Sequence, residues 1–475
     1  MYSEPRFRTQ TPNTPEQATA PAGTGIDPAR PALRVGMIGL GTVGMGTWSV
    51  LQRNQPLIAA RAGRPVQLVA LAVRDRSRAA QKLGEAALES VELCTDPHHV
   101  ATHPDIDVLV EVAGGTGPAR DWVLAALAAG KHVVTANKAL LAVHGEELAA
   151  AAARHGCQLA YEAAVAGSIP IVKMLREAWA ANRIDAITGI LNGTSNYILT
   201  RMGDGGLEFA DALAQAQRLG YAEADPCFDV DGTDAAHKLA LLAANAFGAP
   251  VDLDAVHVEG IRGLQRADID AAAQLGYAVK LLAIARLHAS THEHPQSMEL
   301  RVHPALVARR HALAHVGGAD NGIAVHGDAC GHAFHSGAGA GGEPTASAVV
   351  ADLIDLACQP LDPLRPQASG VPTLGTHARR AHAPQPLPMG EVVTAHMLRV
   401  ASDTGLCEAS VVRQLEKAGV PVRQRKWVSA SEQGAAPALA LVTAPVKDAI
   451  AVSAIALLQA RTGAAVRHLR VHTEN

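Results

Sequence analysis

Short apolar runs alternate with longer alanine-rich stretches through the first third of the chain. The apolar runs are residues 33–40, 66–73, 91–94, 108–112, 132–135 and 158–161. Runs of this length predict strands, and the stretches between them predict helices. A regular succession of strand and helix is typical of an α/β protein with a doubly wound parallel sheet. We therefore predict such a sheet for residues 33–160, with ligands bound at the carboxyl ends of its strands.

A glycine-rich turn follows the first predicted strand and precedes a predicted helix. Gly39, Gly41 and Gly44, with Thr42 and Val43 between the last two, form the pattern G-x-G-x-x-G in the context that a dinucleotide fingerprint requires. The first glycine allows a tight turn, the second lets the backbone approach a pyrophosphate, and the third lets helix and strand pack closely. The helix N-terminus then offers N–H groups to the phosphates. The pattern predicts a Rossmann-type domain that binds NAD or NADP.

The end of the second predicted strand bears on the choice of cofactor. An NAD site usually has an acid here for the ribose hydroxyls, whereas this strand ends on Arg74, followed by Asp75. An arginine at this point suits the extra phosphate of NADP. NADP is favoured, and Asp75 keeps NAD as the alternative.

Two loops at the carboxyl edge of the predicted sheet carry further candidates. Residues 135–138 end on Lys138, which we expect on the ligand side near the nicotinamide or the substrate. Residues 161–170 hold one carboxylate, Glu162, and several free carbonyls, and oxygen ligands suit a hard cation. From the residues alone, a simple interdomain turn is favoured for this second loop.

An acidic segment, residues 220–238, ends on a single lysine at the edge of an apolar stretch. Its five carboxylates include Glu223 and Asp234, and we predict a helix from about residue 235 with Asp231 as its N-cap. Asp234 and Lys238 then lie four residues apart on one helical face, with the acid first. A lysine held in this way is a candidate proton-transfer group. The plain alternative is an ordinary exposed ion pair, which is weak and common.

Two other glycine-containing loops are candidate ligand contacts. Gly193 and Thr194 follow an asparagine and offer N–H and hydroxyl groups, which suits either a cradle for a small polar ligand or a turn before a helix over residues 198–202. Residues 336–345, which include Gly341, lead into a predicted helix over residues 346–357. This loop is a candidate to close over the nicotinamide or its phosphates.

Changes in composition divide the chain into six parts. We predict a disordered leader (1–32), the nucleotide domain (33–160), an α+β substrate-binding, catalytic and dimerisation domain (161–335), a glycine-rich loop and helix returning to the nucleotide domain (336–358), a linker rich in Pro, His and Arg (359–392), and a C-terminal α+β module (393–475). The last part follows the order strand, helix, strand, strand, helix, strand. Such a module after a linker is more typical of regulation or dimerisation than of catalysis.

Composition excludes several classes of protein. The chain has 475 residues and a formal charge of −4, so it lacks the broad basic surface that nucleic-acid binding needs. No apolar run approaches the roughly 20 residues that cross a bilayer. Its six cysteines are scattered without paired spacing, and we expect neither disulfides nor a zinc site. We expect a cytoplasmic location, because the first residues also lack a signal-peptide pattern.

Taken together, these motifs resemble the homoserine dehydrogenase family. The matching stretches are residues 39–44, 130–138, 161–170, 189–199, 220–238 and 337–352, which follow the family's order from residue 33 to about 357. The resemblance implies reversible, NAD(P)-dependent oxidation of L-homoserine to L-aspartate 4-semialdehyde, in the route to threonine and methionine. It also implies a homodimer or homotetramer. The C-terminal module resembles the ACT domain of many bacterial members.

The resemblance assigns roles to individual residues. Lys238 matches the family's acid/base lysine, and Lys138 lies near cofactor and substrate and shares the proton relay. Glu223 and Asp234 match the acids that bind homoserine. The family's sodium site matches Glu162 with the carbonyls of three further residues: Val165, Gly167 and Ile169.

Two other functions stay open from the sequence. One is a related Rossmann reductase; the form acting on semialdehyde phosphates needs a catalytic cysteine, and no cysteine here has a nucleophile's context. The other is a non-catalytic NADP-binding sensor whose C-terminal module binds an amino acid. Formation of NADPH from homoserine distinguishes the enzyme from the sensor.

Overall fold

The computed structural model describes residues 30–290, 295–359, 373–374, 383–401, 407–429 and 437–473. Residues 1–29 of the predicted leader, and residues 360–372 and 375–382 of the predicted linker, lie outside the described residues. No described helix has the length and apolar character needed to span a membrane.

The first sheet is parallel throughout. Its strands are β1 (Leu33–Ile38), β2 (Val66–Ala72), β3 (Glu92–Cys94), β4 (Val108–Glu111), β5 (His132–Thr135) and β6 (Leu159–Ala160). The helices between them are α1 (Thr42–Arg53), α2 (Gln55–Ala62), α3 (Arg76–Leu83), α4 (Glu85–Leu88), α5 (Pro97–Thr102), α6 (Pro118–Ala128) and α7 (Lys138–Arg154). The strand order is β3-β2-β1-β4-β5-β6, that of a dinucleotide-binding sheet. The predicted Rossmann-type sheet is confirmed.

Burial on both faces explains why these strands read as continuous apolar runs. Val108, Leu109 and Val110 of β4 are fully buried, because helices cover both sides of a parallel sheet. The crossing helices place the strand ends, and the loops that follow them, along one edge. The predicted ligand loops therefore share that edge.

Strands from the remainder of the chain form a second, mixed sheet. Its strands are β7 (Ile184–Ile190), β8 (His257–Val258), β9 (Tyr277–His288), β10 (Ser297–Ala308), β11 (Asp320–Gly327), β12 (Gly331–Ala338), β13 (Gln385–Pro386), β14 (Val393–Ala401), β15 (Val422–Val428), β16 (Ala438–Thr443), β17 (Val446–Lys447) and β18 (Val466–Val471). The helices are α8 (Ile171–Lys173), α9 (Gly193–Asp204), α10 (Phe209–Arg218), α11 (Cys227–Val230), α12 (Thr233–Phe247), α13 (Arg266–Gln274), α14 (Gly342–Cys358), α15 (Glu408–Lys417) and α16 (Asp448–Thr462). Shorter helical turns span Glu162–Ala164, Met174–Ala178, Ala312–His315 and Met389–Glu391.

The long strands β9 and β10 form the centre of this sheet. They pair antiparallel over their whole length, from Tyr277 opposite Ala308 to His288 opposite Ser297. The main path of the sheet runs β12-β11-β7-β9-β10-β18-β14-β16-β15. Helices α9, α12 and α13 pack against β9, so the residues that follow β7 and begin α12 are held on a rigid base.

The C-terminal part follows the predicted order of strands and helices and is continuous with the second sheet. Its strands run β18-β14-β16-β15, and α15 and α16 contribute Val411, Leu415 and Leu458 to its own core. The junction is a short parallel pairing of β10 with β18, in which Ala305 lies opposite Arg470. The sequence did not predict this junction.

Candidate active site

The glycine turn forms a cradle at the start of α1. A Cβ on Gly39 would lie 2.9 Å from the backbone of Val112, and one on Gly44 would lie 2.3 Å from the carbonyl oxygen of Gly39. A Cβ on Gly41 would meet nothing within 4 Å. Two of the three glycines are therefore required by the fold, and the third faces open space at the helix N-terminus. Thr42 is the first residue of α1, and Thr42 and Val43 both lie in its first turn.

The second glycine loop, which includes Gly341, contacts the first. Gly341 has φ +124° and precedes α14, and a Cβ on Gly342 would lie 3.0 Å from the carbonyl oxygen of Thr42. A Cβ on Gly46 would lie 2.4 Å from the carbonyl oxygen of Gly342. The N-terminus of α14 therefore packs directly against the first turns of α1.

Arg74 lies at the predicted edge and is exposed, two residues beyond β2. The neighbouring Asp75 is occupied, because its Oδ1 accepts a hydrogen bond of 2.9 Å from the N–H of Arg78 and caps α3.

A buried acid beneath the cofactor loops was not predicted from the sequence. Glu111, at the end of β4, accepts hydrogen bonds from the N–H groups of Ala113 and Gly114 at 2.9 and 3.0 Å, and from the Thr135 hydroxyl at 2.8 Å. Asn137 caps α7 and donates 2.7 Å to the carbonyl oxygen of Gly115. Both carboxylate oxygens of Glu111 thus accept hydrogen bonds, and the loops that follow β4 and β5 are joined by these contacts. The sequence did contain a signal for this residue, because Glu111 is an acid at the end of an apolar strand.

Lys238 is buried at the meeting point of the two sheets' domains. Its Nζ donates to Asp234 Oδ2 at 2.7 Å and to the carbonyl oxygen of Leu191 at 2.6 Å, and the residue is 7% exposed. The other oxygen of Asp234 lies 3.0 Å from the Nζ of Lys138, the first residue of α7. One carboxylate therefore bridges an amine of the second domain and an amine at the edge of the cofactor sheet.

Burial has the largest single effect on the pKa values of Lys238 and Asp234. It lowers the pKa of Lys238, and the Lys138 cation lowers it further, while Asp234 opposes both. Burial alone would raise the pKa of Asp234, but the two lysines hold that pKa below its ordinary value. The pair of Asp234 with Lys238 is thus buried, and the alternative of an ordinary exposed ion pair is wrong.

The start of α12 differs from the prediction in one respect. The helix begins at Thr233, and Gly232 with φ +86° occupies the N-cap position instead of Asp231. The side chain of Asp231 pairs with Arg262 instead. Asp234 still lies in the first turn, as predicted.

Helix α9 begins earlier than the predicted helix over residues 198–202. Asn192 caps it by accepting a 2.7 Å hydrogen bond from the N–H of Ser195, so Gly193 and Thr194 form its first turn. A Cβ on Gly193 would lie 2.4 Å from the carbonyl oxygen of Ala319, and the Thr194 hydroxyl donates 2.6 Å to the carbonyl oxygen of Tyr221. The interpretation of these residues as a turn is thus wrong. Gly193 and Thr194 belong to the first turn of a helix and contribute its N-terminal N–H groups.

Asn192 also joins two acids, which the sequence did not reveal. Its Nδ2 donates to Asp234 Oδ2 at 2.8 Å and to Asp229 Oδ1 at 2.7 Å. Burial raises the pKa of Asp229, and the hydrogen bond from Asn192 opposes that shift. Only the folded chain brings residues 192 and 234 together.

Glu223 lies apart from this buried cluster. It is exposed on the loop after α10, and no described residue hydrogen-bonds its carboxylate. Thr194 holds the same loop through Tyr221. The carboxylate of Glu223 therefore has no hydrogen-bond partner among the described residues.

The loop with Glu162 is buried and unusually bent. Ala166 has φ +58°, the one positive value for a described residue other than glycine, and Gly167 follows with φ +55°. Glu162 accepts hydrogen bonds from the N–H groups of Val172 and Lys173 at 3.0 and 2.6 Å. Burial, aided by Asp352, raises the pKa of Glu162 to about 8.

The carbonyls of this loop differ in their partners. That of Ile169 accepts from the N–H of Ile171 at 2.8 Å, whereas no described N–H donates to the carbonyl of Val165 or Gly167. Because Val165 and Gly167 are buried, two unpaired acceptors are left that a cation would satisfy.

Comparisons with known proteins agree along most of the chain. A family model described as homoserine dehydrogenase, NAD binding domain, matches residues 39–162, and one described as homoserine dehydrogenase matches residues 170–354. The chain is 44% identical over 444 residues to the homoserine dehydrogenase of Pseudomonas aeruginosa, covering 93% of this chain and 99% of that protein. It is 45% identical over 369 residues to that of Neisseria gonorrhoeae, covering 78% and 81%.

Solved structures give the same result. The crystal structure of a homoserine dehydrogenase from Thiobacillus denitrificans has a TM-score of 0.83 and 44% identity, covering 93% of this chain and 98% of that one. A hyperthermophilic archaeal homoserine dehydrogenase mutant in complex with NADPH has a TM-score of 0.57 and 25% identity, covering 68% and 97%.

Proposed function

This chain belongs to the homoserine dehydrogenase family, and we propose that Lys238 is the group that takes the hydroxyl proton when L-homoserine is oxidised to L-aspartate 4-semialdehyde. The observation that carries the proposal is the bridge through Asp234, 2.7 Å from the Nζ of Lys238 and 3.0 Å from that of Lys138. It joins the buried amine to the edge of the cofactor sheet. Bound NAD(P) supplies the hydride acceptor.

Lys238 suits this role because its environment lowers its pKa toward the working range of a base. In oxidation, neutral Nζ accepts the hydroxyl proton, and in reduction the ammonium returns it to the alkoxide oxygen. Asp234 stabilises the ammonium form and fixes the direction of Nζ. Burial excludes bulk water from the amine.

The two ends of the amino acid have complementary partners. The first turn of α9, at Gly193 and Thr194, presents N–H groups that suit the substrate carboxylate. The free carboxylate of Glu223 suits the substrate ammonium. We assign Asp234 to the same substrate site through its contacts with both lysines.

The cofactor is proposed to be NADP, held by Gly39, Gly41, Thr42, Val43, Gly44 and Gly341, with Arg74 on the extra phosphate. Asp75 is already engaged as the cap of α3, which reduces its availability to ribose hydroxyls. Replacing Arg74 with Ser should raise KM for NADP about tenfold and leave KM for NAD nearly unchanged. Equal effects on both cofactors would remove Arg74 from cofactor selection.

A sodium ion is proposed at Glu162 and the carbonyls of Val165, Gly167 and Ile169. The fit is supported by two unpaired buried carbonyls and by a carboxyl whose pKa of about 8 a nearby cation would lower. Sodium should therefore raise the melting temperature more than choline does at equal ionic strength, and Glu162→Gln should abolish the difference. A persistent difference in that variant would contradict the assignment.

We also propose that residues 393–475 form an ACT-like regulatory module and that the enzyme is a homodimer or homotetramer. The strand order β18-β14-β16-β15 with two helices on one face supports the first statement. Light scattering with and without threonine tests both.

The overall reaction is tested by trapping the aldehyde. Wild-type protein with L-homoserine and NADP should yield NADPH and an equal amount of semialdehyde, captured as a hydrazone. Cofactor binding without either product would favour the non-catalytic sensor.

A further inference from the structure

Glu111, the last residue of β4, has no part in the proposed proton transfer, yet it is fully buried beneath the cofactor loops. The hydrogen bonds described for its carboxylate all come from the two loops that follow β4 and β5. Oε1 accepts from the N–H groups of Ala113 and Gly114 at 2.9 and 3.0 Å, and Oε2 accepts from the Thr135 hydroxyl at 2.8 Å. A carboxylate suits this position because both of its oxygens accept hydrogen bonds and neither donates.

The loop after β4 has little side-chain structure of its own. Gly114 and Gly115 have φ +80° and +83°, and a Cβ on either would meet nothing within 4 Å. Glycine loses more conformational freedom on folding than any other residue, so contacts from outside the loop are needed to hold one shape. Glu111 supplies two of these contacts. Asn137 supplies a third, because its Nδ2 donates 2.7 Å to the carbonyl oxygen of Gly115.

This loop lies beside the glycine turn that is proposed to hold the cofactor phosphates. A Cβ on Gly39 would lie 2.9 Å from the backbone nitrogen of Ala113. In the sheet, β2 lies on one side of β1, and β4 and β5 lie on the other. A dinucleotide lies across such a sheet with one mononucleotide on each side of the switch point. Since Arg74, beyond β2, is proposed to bind the extra phosphate of the adenosine half, the nicotinamide half belongs at the loops after β4 and β5.

The same hydrogen bonds fix the start of α7, which carries Lys138. The Thr135 hydroxyl accepts from the N–H of Asn137 at 3.0 Å while it donates to Glu111. Asn137 is the N-cap of α7, and Lys138 is the next residue. The Nζ of Lys138 lies 3.0 Å from Asp234. The place of this amine therefore depends on contacts that begin at Glu111.

We propose that Glu111 is a positioning residue for hydride transfer. Through the loop at residues 113–115 it sets the place of the nicotinamide ring, and through Thr135 it sets that of Lys138. This role rests on the proposed function, in which NADP takes the hydride and Lys238 takes the proton. Glu111 acts through its neighbours and not by contact with substrate or cofactor, so its loss should disturb the reacting half of the cofactor and spare the adenosine half.

Replacing Glu111 with Gln tests this role. The variant keeps the shape but exchanges an acceptor for a donor, so either two loop N–H groups or the Thr135 hydroxyl proton is left without a buried acceptor. We expect kcat for homoserine oxidation to fall about tenfold to a hundredfold, because small misplacements of reacting groups cost this much. The dissociation constant of NADPH should rise severalfold. That of adenosine 2′,5′-bisphosphate, which represents the adenosine half of NADP, should equal the wild-type value.

The pH profile of kcat is a readout that a loss of stability alone would not move. Burial and the Lys138 cation lower the pKa of Lys238, whereas Asp234 and Asp229 raise it. When the start of α7 shifts, Lys138 moves and the two acids have the larger effect. The rise of kcat with pH should therefore move to higher pH in Glu111→Gln. An unchanged profile would contradict the effect through Lys138.

Threonine substitutions provide matched controls. Thr135→Val removes the hydroxyl and should reproduce the effects of Glu111→Gln, whereas Thr135→Ser retains it and should recover most of the lost kcat and NADPH affinity. Thr443, in the C-terminal part, is also buried, and its hydroxyl likewise accepts a backbone N–H at 3.0 Å, from His396. Thr443→Val should therefore leave kcat and both affinities unchanged.

Two results would overturn the proposal. One is wild-type kcat and NADPH affinity in both Glu111→Gln and Thr135→Val. The other is an equal loss of affinity for NADPH and for adenosine 2′,5′-bisphosphate, which indicates general damage to the nucleotide domain. The two affinities do not depend on which group takes the proton. A Lys238→Ala variant that keeps its kcat would therefore contradict the proposed base and leave the affinity result for Glu111 intact.

Discussion

Lys238 illustrates how two opposing influences act on one side chain. Burial makes its charged form unfavourable, and Asp234 makes the same form favourable. The residues at 234 and 238 and their helical spacing were visible in the sequence. Leu191 and Asn192, which complete the environment, were not assigned to it, because contacts across 40 and more positions depend on the folded chain.

Changing Asn192 to Asp should raise the pKa of Lys238 by about one unit. The variant keeps the oxygen that caps α9, but it replaces two N–H donors with a carboxylate beside Asp234 and Asp229. The rise of kcat with pH during homoserine oxidation should shift to higher pH. Asn182→Asp, on the loop before β7, is the matched control, and an equal profile in both variants would exclude this role for Asn192.

Lys280 offers a test of stability at the residue scale. This buried lysine donates 2.6 Å to the carbonyl oxygen of Val316, and burial lowers its pKa to about 8. The unfolded chain then binds more protons between pH 8 and 10.5, so wild-type stability gains from rising pH in that window.

Replacing Lys280 with Met removes this contribution. The unfolding free energy of wild type minus that of Lys280→Met should increase by about 2–3 kcal/mol from pH 8 to 10.5 and stay flat below pH 7. Urea denaturation at several pH values measures it. A flat difference throughout would mean that Lys280 titrates normally.

At the scale of elements, the sequence pattern was sufficient to predict the structure wherever a single local rule determines it. The strand, glycine turn and helix at residues 33–53 followed from apolar runs and G-x-G-x-x-G, and the carboxyl edge followed from the parallel order. The start of α9 was missed because Gly, Thr, Ser and Asn favour turns, and the cap formed by Asn192 outweighs that preference.

Strands β9 and β10 were missed for a different reason. Nearly every residue of β10 is buried, so the alternation of apolar and polar positions that marks a half-exposed strand is absent. Buried polar residues such as Glu299, Arg301 and His303 interrupt the apolar run as well. Long-range pairing therefore stabilises a strand that the local sequence pattern does not predict.

Substitutions of two glycines of the cradle should have different effects on cofactor binding and on stability. Gly41→Ala should leave the melting temperature unchanged and weaken NADPH binding about tenfold, because its Cβ has space in the protein but would enter the pyrophosphate's position. Gly44→Ala should lower the melting temperature through its contact with the carbonyl of Gly39. Normal NADPH affinity in Gly41→Ala would show that this face of the turn is not used.

At the scale of the whole molecule, the site exists only where two domains meet. Lys138 begins helix α7, which follows strand β5 of the parallel sheet, and Lys238 lies on helix α12, which packs against β9 and β10 of the mixed sheet. Asp234 joins the two amines. Each domain's class was predictable, but the distance between their residues was not, since no local pattern relates position 138 to position 234. The continuity of the second sheet with the C-terminal part through β10 and β18 was likewise invisible in the sequence.

The central claim is that the buried amine of Lys238 carries the proton. The most direct measurement is the pH dependence of kcat for homoserine oxidation in wild type and Lys238→Ala, with the NADPH dissociation constant determined alongside. Wild-type kcat should rise with pH through a pKa below 10.5, because only the neutral amine accepts the proton. The variant should retain NADPH affinity, lose about 10²–10⁴-fold in kcat and lack that rise. A variant with near-normal kcat and the wild-type pH profile would contradict the mechanism.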